Sequence, residues 1–193
     1  MKEITKIGLI LLLITAVAGV ILGVSNAITS KKIAEIEKIA NNAAKQEVLQ
    51  EAESFVTLDE KRLKEIAGSN QNVLEISEGY DANSSLVGYV FKITSNGYGG
   101  EIQFMVGISK KGYITGIKIL NHKETPGLGA NATKSFFTDS FKGKSVADKL
   151  VVVKHPPKAD NEIQALTGAT ITSNAIVNGV NMVREIYNSK LAN

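Results

Sequence analysis

The residues best suited to chemistry form a small, hydroxyl-rich turn near the C-terminus, Leu166-Thr167-Gly168-Ala169-Thr170-Ile171-Thr172-Ser173. Gly168 and Ala169 allow a tight turn with little side-chain bulk, and Thr170 places a hydroxyl at that turn. Thr172 or Ser173 is expected to cap the apolar-periodic helix that follows. Free N–H groups and the positive dipole end of this helix would suit an anionic phosphate. The alternative is an ordinary helix start capped by Thr or Ser.

A second candidate is the glycine-rich loop that runs from Asn121 to Ala132. Its Gly127-x-Gly129-x-x-Ala132 spacing superficially fits the dinucleotide-binding fingerprint. We reject that interpretation because the preceding strand belongs to a predicted hairpin meander, so the parallel βαβ unit is missing, and Pro126 lies inside the turn. The functional interpretation is a loop that packs its backbone against a flat ligand, and a plain structural turn is the alternative.

The histidines and carboxylates do not form a recognisable catalytic or metal site. His122 and His155 are the only histidines, and Glu124 adds one carboxylate near them in sequence, whereas metal sites need three or four ligands. The chain has no cysteine, which excludes disulfides and thiolate ligands. We therefore predict no catalytic residue and no metal, and expect a bound cofactor to supply the chemistry.

A charge-free apolar stretch lies between Lys6 and Lys31, with its most continuous part from Ile7 to Val24. At about 1.5 Å per residue, about 20 helical residues cross a hydrocarbon core of about 30 Å. We predict an uncleaved membrane anchor over residues 1–30. A cleavable signal peptide is the alternative, although its apolar region usually spans only about 7–15 residues. Lysines flank the stretch on both sides, so charge alone does not orient it.

Residues 31–193 are long enough for one domain with a sizeable core. Apolar residues at helical spacing predict a helix from Lys31 to about Ala52. Two alternating runs then predict an antiparallel meander, with inward positions at Val87, Tyr89, Phe91, Ile93, Ile102, Phe104, Val106 and Ile108. A turn at 109–112 leads into a further strand of the meander, from Tyr113 to Leu120. A helix near 133–141, a short strand at 150–153 and a last helix with Ile176, Val180, Val183 and Tyr187 on one stripe complete an α+β domain.

The net charge of +3 comes from lysines that are scattered among acidic residues, so no nucleic-acid partner is expected.

Three motifs occur in a fixed order behind the apolar stretch: Asn96-Gly97-Tyr98-Gly99-Gly100, His122-Lys123-Glu124-Thr125-Pro126-Gly127-Leu128-Gly129 and the Thr170 turn. This set resembles the FMN-binding domain family, and within it the G subunits of Rnf ion-translocating ferredoxin:NAD oxidoreductases. The C subunits of sodium-translocating NADH:quinone reductases share the flavin motif and are one alternative. A stand-alone, membrane-anchored flavin-binding module is the other.

The resemblance implies an FMN that is attached to the last threonine of the turn, Thr170, through a phosphoester bond. A flavin transferase with FAD as donor would make that bond. Where the family pattern has an Asp three positions before the first hydroxyl residue of the turn, this chain has Gln164. The cofactor-binding residues implied are Thr170, Thr167, Gly168, Ala169, Thr125, Gly127, Leu128, Gly129, Tyr98 and Gly99.

The resemblance also implies a place in the cell and a set of partners. The chain would be a single-pass protein of the cell membrane with an extracytoplasmic flavin domain. It would relay electrons within an oxidoreductase complex, with the other membrane subunits and the transferase as partners. Since one span is too few to make an ion path, ion pumping would be powered elsewhere in the assembly.

Overall fold

The computed structural model describes residues 2–68 and 70–192 and has the predicted α+β architecture. A long N-terminal helix, α1 (Lys2–Val48), precedes a domain with one five-stranded antiparallel sheet and flanking helices. The chain divides into two compact units, Met1–Asn42 and Ala43–Asn193. The apolar stretch and the helix predicted from Lys31 are parts of one continuous helix, which ends at Val48 rather than near Ala52.

The first unit is the N-terminal part of α1. Within the described residues 2–68 and 70–192, this is the one helix that is long and apolar enough to cross a membrane. Its apolar side chains are exposed to the surroundings, as in Leu12 and Leu22. The predicted apolar stripe is also exposed at Ile33 and Ile36, and burial begins only at Ala44, in the second unit.

The elements after α1 are β1 (Ser54–Thr57), α2 (Glu60–Ala67), β2 (Val73–Tyr80), β3 (Leu86–Asn96), β4 (Glu101–Ser109), β5 (Ile114–Asn121), α3 (Ser135–Thr138), β6 (Val151–Val153), β7 (Glu162–Gln164) and α4 (Thr170–Lys190). The sheet lies in the second unit, and its strands follow in the order β1-β2-β3-β4-β5 with every neighbouring pair antiparallel. A separate parallel pair, β6–β7, lies outside it. Two 3-10 turns, Gly129–Thr133 and Asp139–Phe141, flank α3.

The main core lies between the sheet and α4, as the two periodicities predict. The stripe of α4 is buried at all four predicted positions, Ile176, Val180, Val183 and Tyr187. The inward positions of β4 belong to the same cluster, and Gly179 lets α4 approach the ring of Phe104. The predicted helix near 133–141 is a short helix between two 3-10 turns rather than one regular helix.

One predicted inward position is wrong. Val87 packs with the second apolar cluster, which contains Val90 and Met105, whereas Tyr89 belongs to the main core. The register between β2 and β3 shifts between Gly79 and Tyr80, so Gly79 pairs with Gly88 but Tyr80 pairs with Leu86. The extra residue in this bulge moves Val87 to the other face of the sheet.

Four elements have no counterpart in the sequence prediction: β1, α2, β2 and β7. Strand β2 has carboxylates at Glu75 and Glu78, which break the alternation of apolar residues. Each carboxylate has a partner from another element, since Glu75 pairs with Lys45 and Glu78 with Arg62. Charges that are paired across elements are compatible with a half-buried strand, but the pairing is not visible in the local pattern.

Glycines on the second face of the sheet make room for the end of α1. A β-carbon at Gly107 would collide with the carbonyl oxygen of Val48 and lie 2.5 Å from the hydroxyl oxygen of Thr115. A β-carbon at Gly79 would lie 2.5 Å from Leu49 Cδ2. The Thr115 hydroxyl donates a hydrogen bond to the Val48 carbonyl, one of the carbonyls at the helix end that have no partner within the helix. The backbone at the end of α1 therefore packs directly against the sheet.

A buried lysine near the end of α1 forms an ion pair with strand β2. Lys45 is only 6% exposed, and its Nζ lies 2.5 Å from Glu75 Oε1 and 3.1 Å from Thr57 Oγ1. The Ser77 hydroxyl donates to the same carboxylate at 3.1 Å. Burial by itself would raise the pKa of Glu75, but the hydrogen bond and charge of Lys45 outweigh it and hold the pKa below its usual range.

The lowered pKa of Glu75 predicts an acid-sensitive contribution to stability. Because the folded-state pKa lies below the unfolded value of about 4.3, ionised Glu75 stabilises the fold above that pH, and the contribution is lost as the pH falls through the folded-state pKa. Thermal unfolding at a series of pH values should show that the difference in melting temperature between the wild type and Glu75→Gln becomes smaller as the pH falls below about 4.3. A difference that stays constant with pH would contradict this assignment.

Candidate functional site

A cleft of about 620 Å³ lies where the loop before β4, the loop after β5 and the start of α4 meet. Seven of the predicted site residues line it, namely Tyr98, Thr125, Leu128, Gly129, Gly168, Ala169 and Thr170. Glu124, Ile171 and Thr172 complete the lining. Segments that are far apart in sequence are thus brought together around the predicted acceptor, Thr170.

Thr170 is half-buried and is the first residue of α4. The turn before it is tight, because Gly168 has a φ of 73° and the Ala169 N–H donates to the Leu166 carbonyl at 3.0 Å. A β-carbon at Gly168 would lie 2.9 Å from Leu128 Cδ2, so a larger residue would press on the cleft wall. The N-cap residue, Ala169, provides no side-chain hydrogen bond to the helix.

The missing cap matters for ligand binding. The first N–H groups of a helix have no partner within the helix and are normally satisfied by a capping side chain, water or a ligand. They coincide with the positive end of the helix dipole, which favours an anion by about 0.3–1 kcal/mol. The cleft therefore contains a helix start whose chemistry fits a phosphate group.

Neither residue that was expected to cap α4 does so. The helix begins at Thr170, and Thr172 and Ser173 both lie in its first turn. Thr172 is buried and donates its hydroxyl to Glu124 Oε2. The Ser173 hydroxyl donates to the Ala169 carbonyl at 3.0 Å and accepts from the Leu166 N–H at 2.9 Å, which closes the turn.

Glu124 lines the cleft and is only 6% exposed. Besides Thr172, it accepts a hydrogen bond from the Gly99 N–H at 2.8 Å. Its own N–H donates to Nδ1 of His122 at 3.2 Å. Gly129 packs directly on this group, because a β-carbon there would lie 2.5 Å from Glu124 Oε2. The loop was expected either to approach a ligand or to be a plain turn, and at Gly129 its close contact is with Glu124.

Two predicted site residues line a neighbouring cleft instead. Gly127 and Thr167 face a cavity of about 640 Å³ whose walls include Phe136, Phe137 and Gln164. Leu128 borders both clefts. Gly127 has a φ of 77° and open space around its α-carbon, so its glycine is required by the turn rather than by a close contact.

Glu124, Ile171 and Thr172 line the cleft but are not among the predicted site residues. By sequence, Glu124 is one of too few metal ligands and part of the glycine-rich loop, and Thr172 is a candidate helix cap. The available signal was the carboxylate beside a glycine-rich run. The burial of that carboxylate and its contact with Thr172, 48 residues away, depend on the folded chain.

The comparisons with known proteins agree with this geometry. Residues 97–185 match the family model for an FMN-binding domain, a range that contains the whole lining of the cleft. The G subunit of the Na(+)-translocating ferredoxin:NAD(+) oxidoreductase complex from Acetobacterium woodii is 44% identical, over 96% of this chain and 92% of the relative. The G subunit of the proton-translocating complex from Clostridium ljungdahlii is 35% identical, over 85% and 80%. The chain belongs to the family of these complexes' G subunits, and its residues 97–185 match an FMN-binding domain.

Solved structures show the same fold at lower sequence identity. The crystal structure of Shewanella oneidensis NqrC aligns with a TM-score of 0.53 at 20% identity and covers 72% of this chain and 70% of that chain. The C subunit of a Na(+)-translocating NADH-quinone reductase from Parabacteroides distasonis aligns with a TM-score of 0.53 at 19% identity, over 72% and 79%. At these identities the likeness establishes the fold of the domain.

Proposed function

We propose that this chain is an electron-carrying subunit of a membrane-bound, ion-translocating ferredoxin:NAD oxidoreductase and holds FMN in the cleft at the start of α4. Similarity to G subunits of such complexes, over most of the length of each relative, supports the assignment of this chain to a complex of that kind. The observation that carries the proposal is the uncapped helix start at Thr170, because it offers a phosphate both unpaired N–H groups and a positive dipole.

We further propose that the FMN is covalently bound to Thr170. In the transfer, Thr170 Oγ1 forms a bond to the phosphorus of the FMN half of FAD, the bond between the two phosphates breaks, and AMP leaves with the electron pair. The hydroxyl proton passes to solvent. Because the product phosphodiester keeps one negative charge, the start of α4 stabilises it. Gln164, which stands where the family pattern has Asp, lines the neighbouring cleft with Thr167, where a flavin transferase would meet both residues.

The residues of the cleft bind and orient the cofactor. When bound, FMN supplies one- or two-electron transfer, which suits a relay between other redox centres. Tyr98, Leu128 and Ile171 form an exposed apolar rim at 71%, 44% and 56% exposure, and such a rim suits the flat ring system of a flavin. Electron transfer by a bound flavin needs no acid or base from this chain, so the loops and the helix start only have to bind and orient the cofactor.

Mass spectrometry of the native protein tests the cofactor and its attachment together. The intact chain should carry an added mass of one FMN less one water, as a phosphoester requires, and the adduct should map to the peptide that contains Thr170. Purification in mild detergent should recover multi-spanning membrane subunits with it. A chain without flavin would contradict the proposal, and a flavinylated chain that purifies alone would favour the stand-alone flavin module.

We propose that residues 1–30 anchor the chain in the cell membrane as a single span, with residues 31–193 as an extracytoplasmic domain. The exposed apolar side chains of α1 between Ile7 and Val24 support this placement. In right-side-out vesicles, added protease should digest the domain and leave a short membrane-bound fragment. Protection in those vesicles, with cleavage only after inversion, would reverse the orientation.

A further inference from the structure

One buried side chain connects the three segments that form the cleft. The Glu124 carboxylate accepts from the Gly99 N–H through Oε1 and from the Thr172 hydroxyl through Oε2. Thr172 lies two residues after Thr170, in the first turn of α4. The loop before β4 and the helix start that bears the acceptor are therefore joined through a single carboxylate from the loop after β5.

Glycines pack closely against both oxygens of the Glu124 carboxylate. A β-carbon at Gly97 would collide with Oε1 and lie 2.6 Å from Ile102 Cδ1. A β-carbon at Gly129 would lie 2.5 Å from Oε2 and 2.7 Å from Thr172 Oγ1. Glycines on two different loops thus surround both oxygens at close range. A carboxylate that is enclosed in this way transmits its position to Thr172 with little freedom.

We propose that Glu124 is a positioning residue for flavin attachment. Through Thr172 it fixes the first turn of α4, so that the Thr170 hydroxyl is held in the orientation that phosphoryl transfer requires. This inference rests on the proposed attachment of FMN to Thr170. Glu124 does not itself exchange a proton in the transfer, because it is buried and both of its oxygens already accept hydrogen bonds. Its effect is geometric, and misplacement of a reacting group by about 1 Å can cost about 100-fold in rate.

The test measures flavin transfer to the full-length chain in detergent, with FAD, a flavin transferase and variants at both ends of the Glu124–Thr172 hydrogen bond. Thr172→Val removes the hydroxyl at similar size, and Glu124→Gln removes the charge at similar size. Each should lower kcat by about tenfold or more, the rate equivalent of one hydrogen bond to a charged group, with KM for the protein substrate unchanged. Thr172→Ser keeps the hydroxyl and should stay within about twofold of the wild type.

A double variant separates positioning from general damage. Since both changes act on the same hydrogen bond, which Thr172→Val removes and Glu124→Gln weakens by removing the charge, the double variant should be no slower than the slower single variant. The inference would be overturned if the rate losses of the two single variants multiplied in the double variant. A change confined to KM, or a normal rate in Thr172→Val, would overturn it as well. If Glu124→Gln does not fold, the comparison of Thr172→Val with Thr172→Ser decides alone. A wild-type chain that takes up no flavin would instead contradict the proposed function and the inference together.

Discussion

Thr170→Ala should abolish covalent flavin attachment completely and leave a folded chain. The substitution removes the one oxygen to which the phosphoester is assigned, and a hydroxyl that is absent cannot be compensated by neighbouring residues in the helix. Folding should persist because Thr170 is the half-buried first residue of α4 and alanine is favoured in helices. On co-expression with a flavin transferase, the wild type should give a fluorescent band in a denaturing gel, and Thr170→Ala should give none.

Three variants control this result. Thr170→Ser keeps a hydroxyl at the same position and should still be labelled. Thr167→Ala changes an exposed residue that lines the neighbouring cleft, so the acceptor remains present. Thr172→Ala should slow labelling through Glu124 without removing the acceptor. Fluorescence that persists in Thr170→Ala but disappears in Thr167→Ala or Thr172→Ala would assign the phosphoester to a different threonine.

Gly107→Ala should destabilise the domain by about 2–3 kcal/mol, at the upper end of the range for overpacked cores. The new methyl group would collide with the Val48 carbonyl and lie 2.5 Å from Thr115 Oγ1. Backbone on one side and a hydrogen-bonded hydroxyl on the other have little freedom to move. The expected loss is larger than the gain of about 0.5–1 kcal/mol that alanine brings over glycine in a strand interior.

Gly116 is a matched control for this prediction. It pairs directly with Gly107 across β4 and β5, yet its β-carbon would meet its nearest neighbour, Val48 Cα, at an ordinary 3.5 Å. Gly116→Ala should therefore change the free energy of unfolding by less than about 1 kcal/mol. Denaturant titration of both variants measures the difference. Equal effects at the two positions would show that the end of α1 adapts to the added methyl group.

Local patterns predicted most elements whose burial repeats regularly. The alternation in β4 and the stripe from Ile176 to Tyr187 in α4 both appear in the main core. The prediction failed where the pattern depends on a partner. Strand β2 has two carboxylates that are paired with Lys45 and Arg62 from other elements, and Val87 changes faces at a bulge. Neither a distant ion pair nor a register shift leaves a periodic signal in the strand itself.

The functional site shows the same division between features that local sequence predicts and contacts that depend on distant residues. The sequence alone predicted the tight turn at Gly168, a hydroxyl at Thr170 and the two glycine-rich loops, because these features depend on residue type and short spacing, whereas the acceptor role of Thr170 is implied by the family resemblance. The tertiary structure decided which of these residues share the cleft, and it separated Thr167 and Gly127 from the rest. It also assigned Thr172 to Glu124 instead of to a cap. Contacts across 48 residues arise only when the sheet and α4 bring distant segments together, and no local spacing encodes that approach.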